Sequence, residues 1–409
     1  LYDGSWKIEK AFTKEIDVVD FALSEEERMI RDVAHDFAQK EIRPVAEYYD
    51  EHEGEYPTPI VKKANEIGLG GGSMFQVGGI GSVLIVEELS WGCAGMALAI
   101  VSSGLAAAAI AGMGTDAQRA KFLPMCMSTE KELRIGAYGL TEPEAGSDVA
   151  NISTTAVRDG DDYILNGTKR FITNGGIADV HVIFATEDKS KGWGGLCAFA
   201  IEKGTPGLSE GTVWKKMGVR ASHTSDVVLE DCRVPADHRL GDPPGEAPKE
   251  GAPRRGAMGA LGALERTRPV IGAFSLGIGR AALEYAIEYS TERIQFGRPI
   301  ATRQAIAFKL ADMAIEVDAA RMLVWRAAWM AATNVPFLRA EGSMAKCYPS
   351  DVAMRATIEA LQILGGYGYM REFPVEKWMR DAKIFQIFEG TNEIQRIVIS
   401  RALTGSRLR

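Results

Sequence analysis

The sequence predicts a mostly helical α+β chain in three parts: a helical N-terminal domain over residues 1–135, a β domain over 136–242, and a C-terminal helical bundle over 243–409, its first stretch (243–256) a loop. Three observations carry this. At 409 residues the chain is too long for one ordinary core. Its apolar residues recur at helical spacing, switch to short Val/Ile/Thr/aromatic runs, and return to helical spacing. The turn pairs Asp159-Gly160 and Asn166-Gly167 punctuate the middle stretch.

In the first part, Ser24 and the acidic residues after it open an amphipathic helix with Met29, Ile30, Val33, Ala34, Phe37 and Ile42 on one side, ending or kinking near Pro44. PTPIVKKANEIGL, SVLIVEELSWGCAGMALAI and TDAQRAKFLPMCM continue as helices, with Thr115 capping the last. The small residues around 98–112 read as a packed helix, since Ser102, Ser103 and Gly104 interrupt them, so no membrane span is expected. STTAVRDGDDYILNG, VHVIFATE, LCAFAIEK and SDVVLEDCRVP supply strands. GDPPGEAPKEGAPRRG, rich in Pro and Gly, reads as a surface loop with Lys249, Arg254 and Arg255 solvated. Beyond it, ALERTRPVIGAFSLGIGRAALEYAIEYSTER, RQAIAFKLADMAIEVDAARMLVWRAAWMAA, RAEGSMAKCYPSDVAMRATIEALQILGG and a helix from about residue 391 form a four-helix bundle.

Composition narrows the function. A net charge of −8 gives no footprint for nucleic acid. Five scattered cysteines without a C-x-x-C spacing argue against disulfides and zinc, so no metal is expected and a reducing compartment fits. The expected location is the bacterial cytoplasm, or the mitochondrial matrix if a targeting segment has been removed.

Several segments offer chemistry. LTEPEAGSD clusters hydroxyls and small residues in a loop able to present backbone N–H groups to a phosphate or ring. FITNGG offers an aromatic face and a hydroxyl two residues later. ERIQFGR ends a helix with two cations, and QILGGYG breaks one with three glycines, more than a cap requires. Glu389-Gly390-Thr391 follows the apolar run IFQIF, a setting that raises a carboxylate toward the range of a general base. Each segment alone has a bland alternative, such as a turn, a helix cap or a loop glutamate.

Together, TEPEAGSDVA, KRFITNGG, ERIQFGRPI, QILGGYGY and IFEGTNEIQR stand in the order and approximate spacing of the acyl-CoA dehydrogenase family, which the chain resembles over about 21–405, and from Leu264 onward the text looks like the medium- and short-chain branch. The resemblance implies that family's fold, with a middle β-barrel or sandwich, FAD extended at a subunit interface, and a homotetramer. It implies acyl-CoA as substrate and electron-transferring flavoprotein as acceptor. Tyr138, Thr141, Ser147, Phe171 and Thr173 would surround the flavin ring and pyrophosphate. Phe171 stands where Trp is common. Arg293 and Gln295 would meet the pyrophosphate and adenosine side, and Gln304, Gln362, Gly365 and Gly366 would reach FAD held mainly by a neighbouring subunit. Thr391 and Glu393 would touch FAD, with Glu393 replacing a more familiar Gln that could donate a hydrogen bond. Ser147, Glu265, Arg268 and Gly390 would contact substrate.

The implied chemistry is removal of the α-proton by Glu389 with transfer of the β-hydrogen as hydride to flavin N5, giving a trans-2-enoyl-CoA. The thioester oxygen would be held by the Glu389 backbone N–H and a ribityl hydroxyl. Some relatives carry the base immediately before the Arg268 position, where this chain has Thr267; Glu265 is then the only rival. Three departures stand out: Glu144 in place of a small residue, the short Gly-rich segment GLGGGSMFQVGGIGS, and the long 241–256 loop. Alternatives are an acyl-CoA oxidase, a decarboxylating glutaryl-CoA-type enzyme, and a non-catalytic acyl-CoA- or flavin-binding relative.

Overall fold

The structure of the protein, a computed structural model, describes residues 22–72, 77–129, 132–242 and 257–406. Lys249, Arg254 and Arg255 of the Pro/Gly loop, and the middle of the Gly-rich segment, lie outside the described residues.

Helix α1 (Glu25–Phe37) starts with a capping box in which the Ser24 hydroxyl accepts from the Glu27 amide and the Glu27 carboxylate accepts from the Ser24 amide. The chain then widens through a π turn and tightens through a 3₁₀ turn containing Pro44 before α2 (Ala46–Glu51), the expected kink. Helices α3 (Thr58–Glu66), α4 (Gly79–Val101), α5 (Ser103–Met113) and α6 (Asp116–Phe122) follow. The expected helix over TDAQRAKFLPMCM keeps its Thr115 cap but changes to 3₁₀ at Leu123, where Pro124 withholds an amide. α4 is long and apolar enough to cross a membrane, yet it is wholly covered by protein. That cover makes it the central core helix of this half.

The β domain is one continuous seven-stranded sheet, curled so that Ile183 and Phe199 share a core with Leu165, Val227 and Leu229, in keeping with the expected barrel-like middle domain. Its order is β1 (Gly136–Gly139), β4 (Val180–Thr186), β2 (Thr155–Asp159), β3 (Asp162–Thr173), β7 (Thr224–Pro235), β6 (Leu208–Val213), with β5 (Leu196–Glu202) on β4. β1 and β6 escaped sequence reading because four residues rich in Gly and an exposed polar run carry no alternating signal. β4 is buried at every position. Val180, Val182 and Phe184 face α5 and α6, while Ile183 and Ala185 face a second core with Phe199 and Leu229, which explains why apolar residues occupy both of its faces.

The C-terminal part contains α7 (Ala257–Glu292), the small hairpin β8–β9 (Ile294–Gln295, Arg298–Pro299), α8 (Gln304–Ala332), α9 (Glu341–Leu364), α10 (Pro374–Ile384) and α11 (Asn392–Thr404). The four expected helices are present, and α10 is an addition that sequence reading left inside a connection. Its eleven residues are amphipathic and begin at Pro374, a helix-start signal. α7 and α9 approach closely because Gly272 and Gly342 lie on their seam: a Cβ at Gly272 would stand 2.0 Å from the Ala345 carbonyl oxygen, and one at Gly342 would stand 2.1 Å from that of Glu265. This seam carries Arg268 on one side and Lys346 on the other.

Candidate active site

The expected residues fall into two groups within one chain. The first surrounds the Glu389 loop. The ends of α10 and α11 leave Glu389 and Gly390 between them, both with positive φ (55° and 85°). Positive φ is natural for glycine but strained for a glutamate, so the turn must be held from outside. Lys346 Nζ donates to the Gly390 carbonyl at 2.9 Å, and Gln395 Nε2 donates to the carbonyls of Glu389 (3.1 Å) and Gly390 (2.8 Å). Thr391 caps α11 by accepting from the Ile394 amide. Among the described residues the Glu389 amide has no acceptor, which leaves that donor available to a ligand oxygen. Burial pushes the Glu389 carboxyl up, and the Arg268 and Lys346 cations oppose it. Arg268 is fixed by Glu265, its neighbour one turn back on α7, and by the Ser343 hydroxyl at 2.7 Å. Glu265 is thus engaged with Arg268, the Ser343 amide (3.0 Å) and the Ser343 hydroxyl (3.1 Å), which makes it a brace for Arg268.

Tyr138 on β1 joins this group. Its hydroxyl is buried without a hydrogen-bond partner, and burial, then the Glu389 charge, push its acidity down. An orphaned hydroxyl is what a bound polar group would satisfy.

The β-domain loops lie beside it. Thr141 accepts from the Arg170 amide at 2.8 Å, tying the TEPEAGSD loop to β3. Glu142, the next residue, is buried and accepts from Lys169 Nζ (2.6 Å), the Ser153 amide (2.5 Å) and hydroxyl (2.7 Å), and the Thr154 amide (2.9 Å). Burial would raise its carboxyl, but the Lys169 ammonium and these donors hold it at about 2. Sequence reading missed this pair; the acidic residue it singled out, Glu144, is exposed, as are Ser147 and Asp148. The β3 register slips between Lys169 and Ile172, and Phe171 takes φ 59°, so the bulge turns its ring outward, 57% exposed. Trp214 packs against that ring at 5.2 Å and donates from Nε1 to Asp226 Oδ1 at 2.8 Å. Thr173 ends β3 opposite Thr224.

The second group lines a hollow of about 900 Å³ bounded by Arg293, Gln295, Phe296, Gly365, Gly366 and Tyr367, among others. No β-domain residue lines it. Arg293 lies 5.4 Å over the Tyr367 ring, and Phe296 at the hairpin tip is 93% exposed. Gly365 and Gly366 have open space where a side chain would stand, as a backbone that receives a ligand requires. Gln304 at the start of α8 and Gln362 in the last turn of α9 are exposed near its rim in sequence but do not line it. Glu393 is exposed, and its carboxylate is held down by its own amide and the Thr391 hydroxyl, so it accepts at the N-terminus of α11. The outward Phe171 ring, the orphaned Tyr138 hydroxyl and the glycine-lined hollow with its arginine suit a large aromatic, phosphate-bearing group such as FAD.

Family models for the acyl-CoA dehydrogenase N-terminal domain match residues 24–130, for the middle domain 137–232, and for the C-terminal domain 254–404. Butyryl-CoA dehydrogenase from Megasphaera elsdenii is 42% identical with a TM-score of 0.85, covering 94% of this chain and 99% of its own. A chain from work on the electron transferring flavoprotein of Acidaminococcus fermentans is also 42% identical, with a TM-score of 0.85 and coverage of 95% and 100%. A glutaryl-CoA dehydrogenase from Mycobacterium smegmatis, solved in complex with FADH2, is 29% identical with a TM-score of 0.83 and coverage of 94% and 96%. The chain belongs to the acyl-CoA dehydrogenase family and is an FAD-dependent oxidoreductase.

Proposed function

We propose that the protein oxidises a short-chain acyl-CoA to the trans-2-enoyl-CoA, with Glu389 as the base. The observation that carries this is a carboxylate on a strained turn, raised by burial and faced by two cations, beside a backbone amide without an acceptor. Removing a proton next to a thioester carbonyl needs a nearby base and a donor for the oxygen that gains charge. Glu389 takes the proton, and the C–H electron pair forms the new double bond as the β-hydrogen leaves. When bound, FAD supplies the two-electron acceptor for that hydride. The Glu389 amide donates to the thioester oxygen, and Arg268, braced by Glu265 and Ser343, supplies positive charge beside it.

Phe171, Thr141, Thr173 and Tyr138 would hold the flavin end, and Ser147 would stand at the mouth of the acyl-CoA channel. Thr391 and Glu393, next to the Glu389 turn, would also touch FAD, while Arg293, Gln295, Gly365 and Gly366, with Gln304 and Gln362, would reach FAD held mainly by a neighbouring subunit, since the hollow shares no lining with the Glu389 group within one chain. A homotetramer fits this division. On α8, Phe308, Ile315, Met322 and Trp329 recur every seven residues, and the first, second and fourth are exposed, the pattern of a helix seam awaiting a partner. The short-chain preference rests on the butyryl-CoA relative, and an electron-transferring flavoprotein as acceptor rests on the Acidaminococcus likeness.

Anaerobic addition of butyryl-CoA to the yellow holoenzyme is expected to bleach the flavin faster than octanoyl-CoA does. Bleaching by neither sinks the dehydrogenase reading; faster bleaching by octanoyl-CoA sinks only the short-chain part. Reoxidation in air as fast as by the flavoprotein would place the enzyme among the oxidases.

A further inference from the structure

Lys346 is fully buried in the second turn of α9. Its ammonium spends two hydrogen bonds on neutral oxygens, the Gly390 carbonyl and Asn392 Oδ1, both at 2.9 Å. Among the described residues it forms no ion pair; Asp351, on the same helix, pairs instead with Arg396 at 2.6 Å and accepts from Gln386 and Asn392. A buried cation without a counter-ion is costly, and hydrophobic or neutral residues of similar size would fill the same space. The arrangement gains a purpose from what lies beyond Gly390, the Glu389 carboxylate.

We propose that Lys346 is a positioning residue for proton abstraction: its ammonium clamps the strained Glu389-Gly390 turn through the Gly390 carbonyl and keeps one uncompensated positive charge behind the Glu389 carboxylate. The proposal rests on Glu389 being the base. Two features separate this from a simple loop tether. The turn already has a neutral clamp in Gln395, which donates to both carbonyls, so a further tether needs no charge. The other charged and titratable groups around the pair are also accounted for. Arg268 on α7 is shared with Glu265, Tyr138 on β1 is neutral, Cys347 and Asp351 lie on α9, and Asp351 is neutralised by Arg396. Arg268 thus acts on Glu389 while paired with Glu265, whereas Lys346, which has no other carboxylate to pair with, adds its whole charge to that of Arg268 at Glu389 and at the negative charge that develops as the α-proton leaves. Burial lowers the Lys346 ammonium to about 8, so its charge is present at neutral pH and fades above that value in the free enzyme.

The test uses the holoenzyme and three variants, K346M and K346Q, which remove the charge, and K346R, which keeps it; whichever neutral variant folds and retains FAD carries the measurement. The acid limb of the kcat/KM profile, which reports the base in the free enzyme, is expected to move up by roughly one pH unit or more in the neutral variants and to stay in place in K346R. kcat should fall about 10- to 100-fold with KM little changed, and hydrogen exchange at Gly390 and Thr391 should quicken most in K346M. A neutral variant with the acid limb unmoved, whether or not kcat falls, overturns the proposal. Near-normal turnover in Glu389→Gln would instead overturn the assignment of the base, so the two failures are told apart.

Discussion

Lys169 and Lys346 are both fully buried beside the loops of the site, yet one is matched with a carboxylate and the other is not. Lys169 meets Glu142 at 2.6 Å, and every oxygen of that carboxylate has further donors, so the charges cancel and the TEPEAGSD loop is locked to β3. Lys346 meets only neutral oxygens and leaves its charge for the Glu389 turn. A completed pair is a brace; an incomplete one leaves a field at the place where charge must develop. The chain thus uses the same residue type for rigidity in the β domain and for electrostatics in the helical domain.

The catalytic turn carries the larger effect. Glu389→Gln should lower kcat by about 10²- to 10⁴-fold while the flavin spectrum remains. Steady-state assay with butyryl-CoA and the absorbance of the purified variant measure both. Glu265→Gln should do less to the proton transfer, since Glu265 is occupied with Arg268 and Ser343. If Glu265→Gln is the deeper loss, the base lies on α7.

At the braced end, Lys169→Met should cost about 3–5 kcal/mol of stability, because it strands a buried carboxylate, and denaturant unfolding of the holoenzyme measures it. The pH dependence has a definite sign. The Glu142 carboxyl titrates at about 2 in the fold, below its ordinary 4.5, so its stabilisation is fully present above 4.5 and is lost as pH falls toward 2. Lys169→Met should therefore flatten the acid arm of the stability profile; an unchanged acid arm would mean that the pair is not ionised. Arg293→Ala, in the glycine-lined hollow, should weaken FAD retention on dilution by about tenfold and leave the α-proton chemistry of the loaded enzyme nearly intact. Loss of chemistry with FAD retained would detach Arg293 from the cofactor.

The legibility of the sequence follows the range of the interactions involved. Elements such as α4 and β4 were readable because burial on every side writes itself into long, mostly apolar runs of helix or strand length. Glu389 could be singled out because IFQIF, Gly390 and Thr391 announce an apolar approach, a permissive turn and a cap in consecutive positions. Glu142–Lys169 and Lys346–Gly390 were not readable, because their partners lie 27 and 44 residues apart and a buried lysine has the same letter as a solvated one. β6 and α10 were missed for a related reason, one being an exposed polar strand and the other a short helix inside a connection. The division of the cofactor residues between two groups followed from family resemblance, since no local pattern tells one subunit's wall from its neighbour's.

The smallest expected effect separates the two ends by stability alone. Burial raises the Glu389 carboxyl above its ordinary 4.5, so between that value and the raised one the folded protein binds more protons than the unfolded chain. Stability then falls as pH rises through this window, the reverse of Glu142. Glutamine keeps the shape and carries no charge, so Glu389→Gln should match the wild type below pH 4.5 and melt about 1–3 °C higher near pH 8. Thermal melts of both holoproteins across that range measure the difference. A gap that is equally large at low pH would assign the gain to packing, and a variant that melts lower near pH 8 would mean that Arg268 and Lys346 more than offset the burial of the charge.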